Sequence, residues 1–310
     1  METIRFENTV DLNGELERIV ADCRHYTKDG KVASYIPELA KADPNKLGLY
    51  IISEENEFFA GDHTTPFTMQ SVVKPLILLL ALKDAGVEKV RSLVGVEATG
   101  KPFDTFNYTD LALRNEHINP MINAGAIALC TLIKGETSKE KIERLLDFTR
   151  QLTKNNALRI DQDVYLSEKA TGNKNRALAY MLNAYKMIDA DVEDLLDCYF
   201  SACSFTVNCK DLAHIAFALS HCEQNSMISE DEAHFVNAIL STSGMYDGSG
   251  EFALSVGVPA KSGVGGGIMA VVPHRMGIGV FSPSLDSKGN SIAGKKVLEI
   301  LSKELHLSIF

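Results

Sequence analysis

Apolar residues run without a break from Leu76 to Leu82, and polar residues gather just upstream of them. A surface helix carries an apolar stripe, so a run with no polar face predicts a helix buried on all sides. Thr68, Gln70, Ser71, Lys74 and Pro75 lead into it. Pro is tolerated in a first helical turn, where the N–H groups have no intrahelical partner. The helix is therefore predicted to start at or near Ser71, with Lys74 one turn on. Three-residue spacing puts both side chains on one face.

Before this run, Leu12, Leu16, Ile19, Val20 and Cys23 recur at helical spacing and predict a helix over 12–25. A turn-rich link over 32–39 follows, where Pro37 holds Ile36 extended. β-branched and aromatic residues predict a strand over 47–53 with a hairpin partner over 57–60. After the run, 91–117 is irregular, and helices are predicted over 119–129, 139–152, 176–188, 192–203, 210–219 and 231–240. Almost no strand pattern occurs between Ser71 and Leu240. Turns dominate 243–250, strands follow over 268–273 and 276–281, and an amphipathic helix closes the chain over 291–305. Strands at both ends with helices between predict an α/β (α+β) fold, an antiparallel sheet flanked by helices plus an inserted helical lobe. The expected division is a single domain over 1–310, with a sheet lobe from 1–70 and 243–310 and a helical lobe over 71–242.

The 310 residues are enough for one sizeable core. The net charge of −10 argues against nucleic acid or an anionic membrane as the main partner. Leu76–Leu82 is too short to span a bilayer, and Met1–Glu7 lacks the basic start and apolar core of a signal peptide, so a cytoplasmic protein is expected. The six Cys include no Cys-x-x-Cys pair and mostly sit in apolar helical patterns, which predicts reduced, buried thiols. The His residues form no His-Glu-x-x-His motif, so no metal is expected.

A Ser hydroxyl beside a Lys amine in an apolar wall has the makings of an activated nucleophile. Burial lowers a Lys pKa, and a neutral amine accepts the Ser proton. The Ser amide at a helix start also points at a developing oxyanion. Spacing alone does not single the pair out: Ser138 and Lys141 repeat it in a charged stretch, and Ser is a common helix cap. The later run Lys261-Ser262-Gly263-Val264-Gly265-Gly266-Gly267 changes the weight. A Ser-x-x-Lys helix followed by a Lys-[Ser/Thr]-Gly strand is the paired signature of penicillin-recognising enzymes and class A β-lactamases. The glycines mark either close backbone approach by a ligand or a bend in the strand.

Further motifs make the resemblance more specific. They are Tyr35-Ile36-Pro37-Glu38-Leu39, Gln70-Ser71-Val72-Val73-Lys74, Asn119 to Ala126, Ser167-Glu168 with Asn175, Tyr199-Phe200, Thr242 to Tyr246 and Pro259 to Gly267. Along almost the whole chain the sequence resembles bacterial serine-dependent glutaminases, whose family includes the core domain of the animal kidney- and liver-type enzymes. The Asn-rich and Gly-Met-Tyr motifs are not shared with β-lactamases. The resemblance implies a serine β-lactamase/transpeptidase-like fold, L-glutamine as substrate, no cofactor, and a homo-oligomer, dimer or tetramer. The catalytic residues it implies are Ser71, Lys74, Tyr246 and Lys261. The substrate ligands are Tyr35, Ser71, Asn123, Glu168, Asn175, Tyr199, Tyr246 and Val264, with Glu168 meeting the α-ammonium and Val264 offering its backbone N–H. Ser71 would attack the side-chain amide of glutamine, Lys74 would take its proton with Tyr246 as relay, and the amides of Ser71 and Val264 would hold the oxyanion. Two lysines in one pocket are expected to acidify the Tyr246 hydroxyl. The rival readings are a β-lactamase or transpeptidase-like hydrolase and a binding module without turnover.

Overall fold

The computed structural model describes residues 12–98, 118–224 and 227–310. Met1–Glu7 and most of the irregular 91–117 stretch lie outside the described residues. The strands are Gly48–Ser53 (β1), Glu57–Gly61 (β2), Phe67–Thr68 (β3), Thr206–Val207 (β4), Ala260–Ser262 (β5), Gly267–Val272 (β6) and Met276–Phe281 (β7). The α-helices are Leu12–Cys23 (α1), Lys74–Ala85 (α2), Val87–Leu93 (α3), Asn123–Cys130 (α4), Ser138–Thr153 (α5), Gln162–Thr171 (α6), Asn173–Ala184 (α7), Val192–Cys203 (α8), Cys209–Ser220 (α9), Glu230–Ser243 (α10), Ser249–Ser255 (α11) and Ile292–Leu305 (α12).

One antiparallel sheet has the order β2-β1-β7-β6-β5. β1 pairs with β7 along its length, Leu49 opposite Val280 and Ile51 opposite Ile278, which ties the two ends of the chain together. Alternation along β1 sorts its side chains between two cores. Tyr50 and Ile52 join the apolar cluster of the central helices, while Leu49 and Ile51 join one built with α1 and α12. At the β2 edge, Asn13 and Glu17 of α1 accept the free N–H groups of Phe59 and Gly61 at 3.2 and 3.0 Å. That blunts an edge otherwise open to pairing.

Two features depart from the sequence pattern. Helix α9 lies directly on the sheet as well as against the central helices. A Cβ at Gly277 would stand 2.1 Å from the Phe217 nitrogen, and one at Gly279 2.1 Å from the Cys209 oxygen, so only glycine admits the helix there. A small ribbon also forms between β3 and β4, and β4 lies inside the 71–240 stretch that showed almost no strand pattern. Its two-residue strands are too short to leave a periodic pattern.

The apolar run 76–82 is buried throughout. The α-helix begins at Lys74, with Pro75 in its first turn, and Ser71 sits one step earlier, in a 3₁₀ turn over Gln70–Val73. Gln70 enters that turn in the left-handed region, at φ 48°. A non-glycine residue held there costs on the order of 1 kcal/mol or more. The five cysteines other than Cys222 are buried, and all six are free. Among the described residues no helix is long and apolar enough to cross a membrane.

Candidate active site

The 3₁₀ turn presents Ser71 to the amine of Lys74, whose Nζ lies 2.7 Å from Ser71 Oγ. The same Nζ donates to Asn123 Oδ1 at 2.8 Å, and the Tyr199 hydroxyl donates to that oxygen at 3.2 Å. Asn123 in turn donates through Nδ2 to Asn175 Oδ1 at 2.9 Å. Two donors on one side and an acceptor on the other fix the Asn123 amide orientation. All five residues are buried. The network joins the start of α2 to α4, α7 and α8, so four helices set the surroundings of Ser71.

Lys261, on β5, is fully buried and donates to the carbonyls of Gly244 and Ser262 at 3.0 and 2.6 Å. Its Nζ stands 4.2 Å from the centroid of the Tyr246 ring. Burial holds this amine well below the ordinary lysine value, and the positive charge of Lys74 pushes the same way. Tyr246 opens a short 3₁₀ turn at φ 54° and is buried. Burial raises the phenol above its usual value, and the nearby Ser71 and Ser262 hydroxyls only partly oppose that. The expected acidification by two lysines is thus reversed, because a buried phenolate loses more hydration than its neighbours return.

A cavity of about 350 Å³ opens beside Ser71, and Tyr35, Asn123, Glu168, Asn175 and Tyr199 also line it. Tyr35 is 56% exposed, so it is a surface ring at this cavity rather than a core one. Glu168 is buried, and burial pushes its carboxyl up to about 7, against a hydrogen bond from Gln70 and the charge of Lys74. Its Oε2 has no hydrogen-bond partner among the described residues. A buried carboxylate oxygen without a donor is costly, and a cationic ligand group would satisfy it.

Val264 turns its side chain away, into a small apolar cluster with Ile36, Leu39, Val164 and Leu285. The turn that carries it lies against the backbone of Ser71. A Cβ on Gly263 would stand 2.6 Å from the Met69 oxygen and 3.3 Å from the Ser71 nitrogen, and one on Gly265 2.4 Å from the Thr68 oxygen. The close approach marked by these glycines is therefore by the chain itself.

Most of the residues singled out in the sequence fall into two groups, a cavity set and a Lys261–Tyr246 set, while the Val264 side chain belongs to neither. The sequence profile of the family described as Glutaminase matches residues 30–310. The chain belongs to the glutaminase family. A glutaminase of Clostridium tetani is 51% identical over 96% of this chain and 100% of its own length, and glutaminase 2 of Clostridium perfringens is 48% identical over 95% and 99%. Among solved structures, a probable glutaminase from Bacillus subtilis complexed with 6-diazo-5-oxo-L-norleucine superposes with a TM-score of 0.88 at 35% identity, covering 100% of this chain and 99% of that one. A covalent complex between a Bacillus subtilis glutaminase and 5-oxo-L-norleucine gives a TM-score of 0.87 at 35% identity, covering 96% and 99%. The fold is accordingly the β-lactamase-like one of the family's bacterial members.

Sequence reasoning passed over Gln70 and Cys203 as pocket residues. Both line the cavity of this glutaminase-family chain, and Gln70 pulls the Glu168 carboxyl down against its burial. Gln70 stands beside the nucleophile in the motif, but only its left-handed backbone and its burial reveal a role. Cys203 looks like any core thiol in the sequence, and no local pattern distinguishes it.

Proposed function

We propose that this chain hydrolyses L-glutamine to L-glutamate and ammonia through a γ-glutamyl ester on Ser71. The observation that carries the reading is the Ser71–Lys74 pair, 2.7 Å apart, beside a cavity lined by Glu168, whose Oε2 lacks a partner. Glu168 receives the α-ammonium of the substrate, while Asn123, Asn175, Tyr35 and Tyr199 offer polar groups to the rest of it. The side-chain amide then lies at Ser71 Oγ.

Ser71 attacks the amide carbon, and the amides of Ser71 and Val264 stabilise the oxyanion. The approach of the Gly263 turn to the Ser71 nitrogen supports that pairing. Lys74 donates to both Asn123 and Ser71, which orients the Ser71 proton toward Tyr246. A phenol raised by burial is a poor resting phenolate, but it serves as a relay. Its oxygen takes the serine proton while its own proton passes to the departing nitrogen. The C–N bond breaks, ammonia leaves, and Lys74 stabilises the charge that passes through Ser71 Oγ. Water then attacks the ester by the reverse path, giving glutamate and returning the proton to Ser71. Lys261 packs on the phenol ring and holds the Gly244 and Ser262 carbonyls in place. The steps use side chains, backbone amides and water.

A coupled assay of glutamate formed from L-glutamine over many turnovers tests this directly. Sustained release is expected. Release limited to one equivalent would favour a module that acylates without turnover, and hydrolysis of nitrocefin in preference to glutamine would favour a β-lactamase-like enzyme. The family resemblance places a homo-oligomer within the same proposal, read by light scattering during size exclusion.

A further inference from the structure

Asn119 is fully buried and does not line the cavity. Its side-chain amide reaches three parts of the chain. Oδ1 accepts the Met121 N–H at 2.8 Å. Nδ2 donates to the carbonyls of Val96 and Glu97 at 3.2 and 3.0 Å, and to Ser243 Oγ at 3.0 Å. A backbone N–H only donates and a carbonyl only accepts, so the two ends of this amide cannot exchange. The backbone carbonyl of Asn119 accepts the Ile122 N–H at 3.2 Å, and a Cβ on Gly125 would stand 2.1 Å from that oxygen. The turn over 119–122 is thus clamped against the start of α4, where Asn123 accepts from Lys74. Ser243 is the last residue of α10. Beside it, the Gly244 carbonyl accepts from Lys261 Nζ at 3.0 Å and from the Ser262 N–H at 3.3 Å. A Cβ on Gly244 would lie 1.7 Å from the Ala260 oxygen, so this backbone is held tightly against β5. Tyr246 opens the turn that follows.

We propose that Asn119 is a positioning residue for amide hydrolysis. One buried amide ties the turn that launches Asn123 to the end of α10 that leads into Tyr246. The proposal rests on the glutaminase reading given above. Ser71 and Lys74 are held to Asn123 on one side. Tyr246 and Lys261 come with the end of α10 and with β5 on the other. In that reading the Ser71 proton must cross from the first group to the second, so the rate depends on the distance between them. Of the bonds made by the Asn119 side chain, the one to Ser243 crosses between the groups, while those to Met121, Val96 and Glu97 shape the local turn. The cavity residues Glu168, Asn175 and Tyr199 lie on α6, α7 and α8, which these bonds do not reach. A small error in the spacing therefore slows the reaction without loosening the hold on the substrate.

The experiment compares wild type, Ser243→Ala, Asn119→Ala and the double variant in glutamate release from L-glutamine. Ser243→Ala severs the crossing bond and leaves the other three. It is expected to lower kcat on the order of tenfold, with KM changed less than about threefold. Saturating L-glutamate should raise its melting temperature as much as it does that of wild type, because the cavity is intact. Asn119→Ala should lower kcat at least as far, and adding Ser243→Ala to it should cost nothing further. Wild-type kcat in Ser243→Ala overturns the proposal, as do losses that multiply in the double variant. A fall in kcat matched by a rise in KM and a smaller glutamate shift would mark a general loosening of the fold, and it overturns the proposal as well. If Asn119→Ala does not fold, the kcat and KM of Ser243→Ala and its glutamate shift decide by themselves. A wild type that releases no glutamate would instead overturn the glutaminase reading, and this proposal with it.

Discussion

Glu168 holds a carboxyl raised from 4.5 to about 7 by burial, and the sign of its effects follows. The folded protein keeps this group protonated where the unfolded chain has already ionised it. Between pH 4.5 and 7 stability therefore falls as pH rises, and the cost, on the order of 3 kcal/mol, is complete above pH 7. Glu168→Gln removes that cost, so in urea unfolding the ligand-free variant should be more stable than wild type at pH 8 and no more stable at pH 4. An equal difference at both pH values would show that Glu168 titrates normally. Binding runs the other way. The substrate ammonium needs the ionised carboxylate, so KM for glutamine should fall as pH rises through 7 in wild type, and should be high and nearly flat in Glu168→Gln. Tyr246→Phe should lower kcat far more than it raises KM, because it removes a proton path and little contact area. Unchanged kcat in steady-state kinetics would give the proton work to Lys74 alone.

At the scale of elements, the Gly263 turn and the 3₁₀ turn at Gln70–Val73 must stay in contact for the two amides to converge. Gly263→Ala puts a Cβ 2.6 Å from the Met69 oxygen, and backbone cannot yield as a flexible side chain can. Displacement by even a fraction of an ångström there should cut kcat by about 10²-fold. A melting temperature lowered without loss of kcat would show that this approach serves packing only. Which elements could be read from the sequence follows from what each one buries. Helix α2 announced itself through seven consecutive apolar residues, Leu76 to Leu82, and α8 through its buried face, its span from Val192 to Cys203 matching the periodic one. Helix α6, which carries Glu168, buries only Val164 and Glu168 and so leaves no stripe to read; its best local sign is Asp161, whose side chain caps the Asp163 and Val164 amides. Ser71, Lys74 and Lys261 were legible because a motif names them. Their contacts were not, since the bonds from Lys74 to Asn123 and from Ser262 to Asn290 join residues 49 and 28 positions apart. The sign of the Tyr246 shift was misread for the same reason. It depends on how completely the fold buries the phenol.

On the scale of the molecule, the groups proposed to react come from both ends of the chain. Ser71 and Lys74 follow the first strands, and Tyr246 and Lys261 precede the last ones, while Asn123, Glu168, Asn175 and Tyr199 come from helices between. Pairing of β1 with β7 brings those ends together, so the site exists only once the whole chain has folded. Saturating L-glutamate should therefore raise the melting temperature of the entire protein as one transition, with a shift that grows with the logarithm of ligand concentration. Two transitions of which only one responds would contradict a site shared across the fold. Because the proposed steps run through side chains and water, incubation with a chelator should leave turnover unchanged; loss of activity restored by a divalent metal would contradict them. The most direct test of the account is glutamate release by Ser71→Ala. The variant should keep the wild-type circular dichroism and lose turnover by on the order of 10⁴-fold or more. Glutamate release within tenfold of wild type would show that Ser71 is not the nucleophile.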